Sequence, residues 1–325
     1  MLGKVLGFLA QIAPWAIVSS LGYAAVFMKP SVEPLSLPQP LSESRDLFYD
    51  VAGSESAGYW FAGNSGVVLH RGAGNSGWVR HSMDKAINLQ GIATSDNGLV
   101  IAVGNQGWLF RNDGAGWQQQ QLPVSDIAGK LIEISWIDGR FWVVGEMGAV
   151  FTSNSEGREW TDLGIDGDVA LNDIARSADG RLWITAEFGT LYRSSDNGRT
   201  WQEEELGYES LRSVAFHGQS GVIVGNGGVV YTSTDGGDSW QRRDKISGEH
   251  LYDVIFDGER WIATGNGGAL LASDDGTRWT PINPEGFASG YHARLLATER
   301  GALIAGSTIG ELRGDSWNHW PEEVE

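Results

Sequence analysis

Hydrophobic and polar residues alternate with a period of two through most of the chain after residue 45, in short runs separated by Gly, Asn, Asp and Ser. This period is typical of β-strands, whereas an amphipathic helix repeats every ~3.6 residues. The chain also holds 46 Gly and 15 Trp, which indicates many tight turns with large aromatic side chains packed near them. Together these patterns predict an all-β fold.

The alternation is organised in a repeat. A motif of one apolar residue, any two residues and then Ile, Val or Leu recurs at intervals of 40 to 42 residues, with His as the first residue of the last copy. The copies begin at Phe48, Leu89, Leu131, Leu171, Leu211, Leu251 and His292. Each copy continues as a strand pattern ending in a Gly-rich turn, a second apolar run and a Trp. Four-stranded units of this length are typical of β-propeller blades. The sequence therefore predicts a seven-bladed β-propeller over residues 45–325.

The first and last blades must meet to close the ring, because an open ring leaves exposed strand edges. Residues 41–47 and the acidic tail after Trp317 are both candidates for a closing strand. The sequence leaves these alternatives open.

The stretches "SSDNGRTW" from Ser194 and "STDGGDSW" from Ser233 share the pattern Ser-x-Asp-x-Gly-x-Thr/Ser-Trp, known as the Asp-box. In such a hairpin Asp196 and Asp235 accept hydrogen bonds from the turn, and the Gly residues adopt positive φ. A calcium loop needs alternating oxygen ligands that "TDGGDS" lacks. We interpret the motif as a structural turn rather than a metal or catalytic site.

These residues, and the unit "VGNGGVVYTSTDGGDSW" from Val224, resemble the Asp-box or BNR-repeat propellers of the photosystem II stability/assembly factor-like family. The resemblance covers residues 45–325. It implies a non-catalytic propeller on the lumenal or periplasmic side of a membrane, where it assembles or stabilises a membrane protein complex. Relatives encoded beside resistance-nodulation-division exporters imply an exporter complex as an alternative partner.

The amino terminus has no charged residue between Val5 and Met28. About 20 apolar residues suffice to cross a bilayer, so residues 1–29 are predicted to form a transmembrane anchor. A cleaved signal peptide with its site at Gly22-Tyr23-Ala24 is the alternative. Four Pro residues then mark residues 30–44 as an extended spacer. The predicted location is an inner or thylakoid-type membrane, with the propeller in the periplasm or lumen.

The net charge is −18 and the chain has no Cys. An acidic surface repels phosphate backbones, so we expect no nucleic-acid partner, and a basic protein segment is the favoured ligand. The absence of Cys excludes disulfides and thiolate metal ligands. The six His show no metal-ligand spacing, and we expect no cofactor.

The third position of the repeated motif should point into the central channel or its mouth. The charged residues at this position are Asp50, Glu133, Asp173, Asp253 and Arg294. Arg212 comes one position earlier in its blade. The turn after the second strand should open on the same rim. Its usual Asn, which suits a left-handed turn, is replaced by Glu146 and Glu187 in blades three and four. We predict that these eight residues form a partner-binding site for a basic loop or terminus of an integral membrane protein complex.

A sialidase-like or carbohydrate-binding propeller is the alternative, because sialidases also carry Asp-boxes. Such an enzyme needs an arginine cluster, a Tyr and Glu pair and an acidic proton donor. Only Arg212 and Arg294 lie at positions expected to face the channel, and the Arg-Ile-Pro segment of sialidases is absent. We therefore expect a non-enzyme.

Overall fold

The computed structural model describes residues 2–27 and 40–321. The chain divides into two compact units, Met1–Pro40 and Leu41–Glu325. In the first unit, helix α1 spans Leu2–Phe27 and contains Pro14. Among the described residues, no helix combines the length and apolar character needed to cross a membrane, so the predicted transmembrane anchor is not supported. Most of the predicted spacer lies outside the described residues.

The described residues of the second unit form 28 strands in seven four-stranded sheets, which confirms the predicted seven-bladed propeller. Blade one contains β1 (Phe48–Ser54), β2 (Gly58–Gly63), β3 (Val67–Arg71) and β4 (Trp78–Ser82). Blade two contains β5 (Leu89–Thr94), β6 (Val100–Gly104), β7 (Trp108–Asn112) and β8 (Trp117–Gln121). Blade three contains β9 (Leu131–Ile137), β10 (Arg140–Gly145), β11 (Val150–Ser153) and β12 (Trp160–Asp162). Blade four contains β13 (Leu171–Arg176), β14 (Leu182–Ala186), β15 (Thr190–Ser194) and β16 (Gln202–Glu205).

The remaining three blades follow the same order. Blade five contains β17 (Leu211–His217), β18 (Ser220–Gly225), β19 (Val230–Ser233) and β20 (Gln241–Arg242). Blade six contains β21 (Leu251–Phe256), β22 (Trp261–Gly265), β23 (Leu270–Ser273) and β24 (Thr280–Pro281). Blade seven contains β25 (His292–Thr298), β26 (Gly301–Gly306), β27 (Ile309–Arg313) and β28 (Ser316–Trp320). Every pairing within a blade is antiparallel and joins consecutive strands.

The repeated apolar-x-x-apolar motif is explained by a bulge at the start of each inner strand. In blade one the register shifts between Phe48 and Asp50, so Tyr49 is left outside the pairing with β2. In a regular strand, residues three apart face opposite sides of the sheet. The extra residue places Phe48 and Val51 on the same side, where both pack in the core. The other six inner strands have the same irregularity.

In the part of the propeller that the structure describes, the ring closes by packing and no strand is exchanged between blades. Phe61 and Leu69 of blade one pack with Leu303 and Trp320 of blade seven in one buried cluster. Trp320 belongs to β28, the outermost strand of its own blade. The carboxyl-terminal candidate for the closing strand thus completes blade seven only, and residues 41–47 form no strand. These residues are instead held on blade one by the ion pair of Arg80 with Asp46, at 2.6 Å.

The Asp-box of blade five is a hydrogen-bonded turn. The Asp235 carboxylate accepts bonds from the Ser239 amide at 2.9 Å and from the Ser239 and Ser233 hydroxyls at 2.6 and 2.7 Å. The Ser233 hydroxyl oxygen also accepts the Gly237 amide at 2.8 Å. Gly237 has φ +97°, and a Cβ there would lie 2.5 Å from Trp183 of blade four. The turn therefore anchors its blade on the preceding one, which confirms the structural interpretation.

Blade four repeats this arrangement around Asp196, which accepts the Thr200 amide and hydroxyl at 2.9 and 2.7 Å. The hydrogen bonds donated by Thr200 and Ser239 lower the pKa values of Asp196 and Asp235 to about 2. Both carboxylates are thus occupied by their own turns.

Candidate functional site

The two ends of the propeller ring carry different connections. Inner strands begin at the end that we call the rim face, which therefore carries the links between blades and the turns between second and third strands, here called rim turns. The opposite end, the Asp-box face, carries the remaining turns, including the Asp-boxes. Because each sheet is antiparallel, the inner strands begin on the same rim on which the rim turns lie, as predicted.

The third-position residues meet in the channel, as expected from the motif, but they are buried and contact one another. Arg294 reaches from blade seven into their centre. Its guanidinium lies 3.4 Å from Asp50, 3.6 Å from Asp173 and 3.5 Å from Asp253, and it also contacts Glu133. The side chains of all five residues are 14% exposed or less. We call these five residues the central cluster.

Three carboxylates of the central cluster also join neighbouring blades. Each Asp accepts the backbone amide of the next residue through one oxygen and an amide of the following blade through the other. The bonds between blades run from Ile92 to Asp50 at 2.6 Å, from Val214 to Asp173 at 3.0 Å and from Leu295 to Asp253 at 2.7 Å. Because the acceptors are carboxylates, these bonds are stronger than neutral ones. The carboxylates thus hold the inner strands at fixed spacing.

Burial shifts the ionisation of the central cluster. Desolvation raises the pKa of Asp50 to about 6, although the Arg294 charge opposes the shift. Burial likewise raises the pKa of Asp173, and burial together with the Asp173 charge raises that of Asp253 well above its usual value. Burial lowers the pKa of Arg294. The cluster thus costs desolvation energy that its internal bonds must offset.

The central cluster separates two mouths of the channel. Arg294 lines a cavity of about 90 Å³ on the rim face and a cavity of about 510 Å³ on the Asp-box face. The larger cavity is wide because the fifth residues of most inner strands are small. These fifth residues are Ala52, Ala93, Ser135, Ala175, Ala215, Ile255 and Leu296.

The rim-face cavity brings Arg212 together with three tyrosines, Tyr49, Tyr252 and Tyr291. Arg212 donates hydrogen bonds to Asn226 at 2.9 Å and to Asn172 at 3.3 Å. The cavity is much smaller than the roughly 300 Å³ or more of ordinary ligand pockets. Burial and the neighbouring tyrosines raise the pKa of Tyr291 to about 12. A sialidase-type tyrosine nucleophile needs an adjacent carboxylate as its base, and the described residues that line this cavity include no Asp or Glu, so the arrangement does not favour the sialidase-like alternative.

Glu146 and Glu187 lie in rim turns of adjacent blades. Glu146 accepts the Lys130 amide at 2.9 Å and lies 3.7 Å from the Lys130 ammonium. In blade one, Asn64 accepts the Leu47 amide in the same way, at 3.0 Å. Glu146 therefore has the acceptor role that Asn64 has in blade one.

The expectation that this Asn adopts a left-handed conformation is wrong. Positive φ occurs at the following residue, which is Ser65 in blade one, Met147 in blade three and Phe188 in blade four. In blade one the Asn64 side chain is used for its acceptor, and the next residue makes the turn.

Two further acidic residues lie between the rim turns of Glu146 and Glu187. The link between blades three and four contains Asp166 and Asp168, both exposed. It is bonded to the first rim turn through the Gly148 amide and the Val169 carbonyl, at 2.9 Å. It is bonded to the second through the Glu187 amide and the Ala170 carbonyl, at 3.1 Å. We call Glu146, Asp166, Asp168 and Glu187 the acidic rim.

Asp166 and Asp168 were not among the predicted residues, because they lie in a link between blades, outside the repeated motif and the rim turns. The acidic stretch "GIDGDVA" just before the fourth copy of the motif was the available signal. Of the eight predicted binding residues, Glu146 and Glu187 lie on the acidic rim and Arg212 in the rim-face mouth. The other five form the buried central cluster.

The fold and this geometry can be compared with known proteins. Residues 165–313 match the family described as "Photosynthesis system II assembly factor YCF48", which confirms the resemblance predicted from the Asp-box unit. The matched residues include blades four to six and most of blade seven. No curated protein sequence matches the chain.

Solved structures with the same architecture include YCF48 from Cyanidioschyzon merolae, at 15% identity and a TM-score of 0.65, over 83% of this chain and 94% of that one. A YCF48 bound to D1 peptide is similar over 80% and 90% of the two chains, at 17% identity and a TM-score of 0.63. Virginiamycin B lyase from Staphylococcus aureus is similar over 73% and 85%, at 12% identity and a TM-score of 0.63. At these identities the likeness shows a shared fold, which occurs in both binding proteins and enzymes.

Proposed function

We propose that the protein is a non-catalytic assembly or stability factor that binds a segment of a membrane protein complex at its rim face. The observation that carries this proposal is the acidic rim, in which Glu146, Asp166, Asp168 and Glu187 lie on bonded segments of adjacent blades. Glu187 makes no side-chain hydrogen bond or ion pair with another described residue. Such a patch attracts a Lys- or Arg-bearing segment and repels acidic ones.

The central cluster is left out of the proposed binding surface. Its carboxylates are buried and already bonded to Arg294 and to backbone amides. An external cation would have to displace those bonds. The proposed surface therefore uses Glu146 and Glu187 from the predicted set, together with Arg212 at the neighbouring mouth, where it can orient an acidic group of the ligand.

The match to an assembly-factor family supports a role in building or maintaining a membrane complex. The structure of a relative with a bound D1 peptide supports a peptide segment as the ligand. The resemblance described above also favours the lumenal or periplasmic side. Attachment through residues 1–29 is a separate proposal, tested by asking whether deletion of that segment releases the protein from the membrane fraction.

Affinity purification of the full chain from membranes solubilised in mild detergent tests the proposal. We expect one membrane protein complex to co-purify in constant proportion, and its identity will distinguish a photosystem-like complex from an exporter. Recovery of the propeller alone would contradict the proposal.

Reversal of charge on the acidic rim should weaken this capture. We expect Glu146→Lys combined with Glu187→Lys to lower recovery of the complex by about ten-fold at low salt, with a smaller effect at high salt because exposed charges are screened. Glu187→Lys alone avoids loss of the Lys130 contact.

The matched control combines Asp96→Lys with Glu299→Lys. These exposed residues lie in turns of the Asp-box face, and the control makes the same change in net charge. Equal capture by wild type, rim variant and control would reject the acidic rim as the binding surface.

A further inference from the structure

The exposed large hydrophobic residues of the propeller are concentrated on one face. Among the described residues 40–321, six such side chains are exposed, and five of them lie on the rim face. Ile127 and Tyr208 are 91% and 93% exposed, and Phe188 is 69% exposed. Met147 and Leu47 are each 36% exposed, and the sixth residue, Val79, lies in outer strand β4. Because these side chains are not buried, packing in the core does not explain why five of the six lie on one face.

Two of these residues also occupy an unfavourable backbone conformation. Met147 has φ +56° and Phe188 has φ +57°, in the left-handed region that bulky residues avoid. Blades five and six have Gly227 and Gly267 at the same position of the rim turn. Met147 and Phe188 thus add backbone strain and leave apolar surface in water. A residue kept at such a cost is a candidate for function.

The exposed apolar residues lie on segments that are hydrogen-bonded in series. The link that carries Ile127 is bonded to the Met147 turn through the Glu146 amide and the Lys130 carbonyl, at 2.9 Å. The Met147 and Phe188 turns are joined by the link with Asp166 and Asp168, as described above. The Phe188 turn is bonded to the link of Tyr208 through the Gly189 carbonyl and the Leu206 amide, at 2.9 Å.

Charge selects the kind of ligand that this surface fits. On the rim-face segments that run from Ile127 to Tyr208, Lys130 is paired with Glu146. The other three residues of the acidic rim make no ion pair with a described residue. The surface is therefore apolar and negatively charged at once. Anionic lipid would be repelled, and a purely basic segment would leave the apolar side chains exposed.

We propose that Ile127, Met147, Phe188 and Tyr208 form, with the acidic rim, one docking surface for a basic amphipathic segment of a partner protein. Apolar side chains of that segment cover Phe188 and Met147, and its Lys or Arg residues meet the acidic rim. This inference rests on the proposed function and specifies the chemistry of the ligand.

Three synthetic peptides of about 15 residues, long enough for four helical turns, test the proposal with the full chain. They contain Leu and Lys, Ser and Lys, or Leu and Glu. We expect the Leu/Lys peptide to bind about ten-fold more tightly than either of the others in fluorescence anisotropy. Equal binding of the Leu/Lys and Ser/Lys peptides would overturn the apolar part of the surface, and binding of the Leu/Glu peptide would overturn the charge.

Variants separate this surface from non-specific binding. We expect Met147→Gly combined with Phe188→Gly to weaken Leu/Lys binding about ten-fold while the melting temperature stays equal or rises, because Gly tolerates positive φ. Val79→Ser is the control and should leave binding unchanged. A lower melting temperature of the double variant would contradict the inference that Met147 and Phe188 strain the backbone.

Two other occupants of the surface are testable. Binding of phosphatidylcholine or phosphatidylglycerol vesicles, or concentration-dependent dimerisation, would overturn the proposal if the double Gly variant abolished it. Failure of this inference can also be told apart from failure of the proposed function. Capture of a membrane complex that is unchanged by the double Gly variant would reject this docking surface and leave the proposed function standing.

Discussion

At the scale of single residues, the buried cluster of Arg294 and four carboxylates connects neighbouring blades of the ring. Each Asp of the cluster accepts a backbone amide of the following blade, and Arg294 forms ion pairs with all four carboxylates. Three of these carboxyl groups have raised pKa values because burial disfavours their charged form. The ionisation of the cluster is therefore linked to folding.

This linkage predicts that the propeller is most stable in mild acid. The pKa of Asp50 is about 6 in the folded state and 3.8 in its ordinary state, so folding takes up a proton between these values. Asp50 alone should lower the free energy of unfolding by about 1–3 kcal/mol as pH rises from about 4 to 6, and the raised pKa values of Asp173 and Asp253 should lower it further in the same direction. The opposite sign applies to Asp235, whose pKa is lowered to about 2. Its stabilisation is present above pH 3.8 and lost as pH falls towards 2.

Chemical denaturation between about pH 3 and pH 8 measures this profile, for which we expect a maximum near pH 4 to 5. Asp50→Asn should reduce the slope between pH 4 and 6, because Asp173 and Asp253 still contribute, and it should leave the acid limb in place. A free energy of unfolding that keeps rising from pH 5 to 7 in the wild type would contradict the prediction.

Residue positions in the channel could be predicted from the sequence, but their environment could not. The motif placed Asp50 and Arg294 correctly because its spacing is local and the bulge is the same in every blade. Their burial depends on how closely the other inner strands approach, and on the length of one Arg from blade seven. Those are properties of the closed ring that no single repeat contains.

At the scale of the element, the Asp-box hairpin joins one blade to the blade before it. The close approach of Gly237 to Trp183 leaves no room for a side chain, and the same glycine also needs positive φ. These two requirements can be separated by experiment.

Gly237→Ala should destabilise the propeller more than Gly114→Ala does. Gly114 has φ +94°, close to the +97° of Gly237, but a Cβ there would meet no atom within 4 Å. The strain of the left-handed conformation, about 1–2 kcal/mol, is common to both. The clash with Trp183 should add about 1–3 kcal/mol for Gly237→Ala alone. Equal losses in thermal or chemical denaturation would show that the contact with Trp183 is unimportant.

The Asp-box could be interpreted from sequence because its donors and acceptors lie within seven residues of one another. The rim turns could be interpreted only in part. Substitution of Glu for Asn marked Glu146 and Glu187. The exposed Met147 and Phe188 beside them occupy the next position, which is Ser, Gln or Gly in other blades. Their significance depends on which face of the ring they share, and that requires the assembled sheets.

At the scale of the whole molecule, the ring is held closed by side-chain packing between blades one and seven. Trp320 is 3% exposed and lies at this junction, where its ring is 3.8 Å from the guanidinium of Arg71. Tyr59, Phe61 and Trp78 of blade one also contact it. Within residues 41–321, no strand is shared between these two blades to reinforce the junction.

Trp320→Ala should therefore destabilise the whole propeller by about 3–5 kcal/mol, as expected for loss of a buried Trp. His319→Ala changes an exposed neighbour in the same strand and should have an effect below about 0.5 kcal/mol. The free energies of unfolding of both variants, measured in urea, check the prediction. A loss below about 1 kcal/mol for Trp320→Ala would mean that the junction contributes little to closure.

Because each blade is made from one uninterrupted piece of chain, the ring has no privileged starting point. Cutting the chain in any link between blades and joining residue 41 to residue 321 through a short tether would leave every strand with the partners that it has now. New ends would then lie on the rim face, either beside the acidic rim or across the ring from it. In this architecture the blade at which the chain starts can be changed while the order of the blades around the ring stays the same.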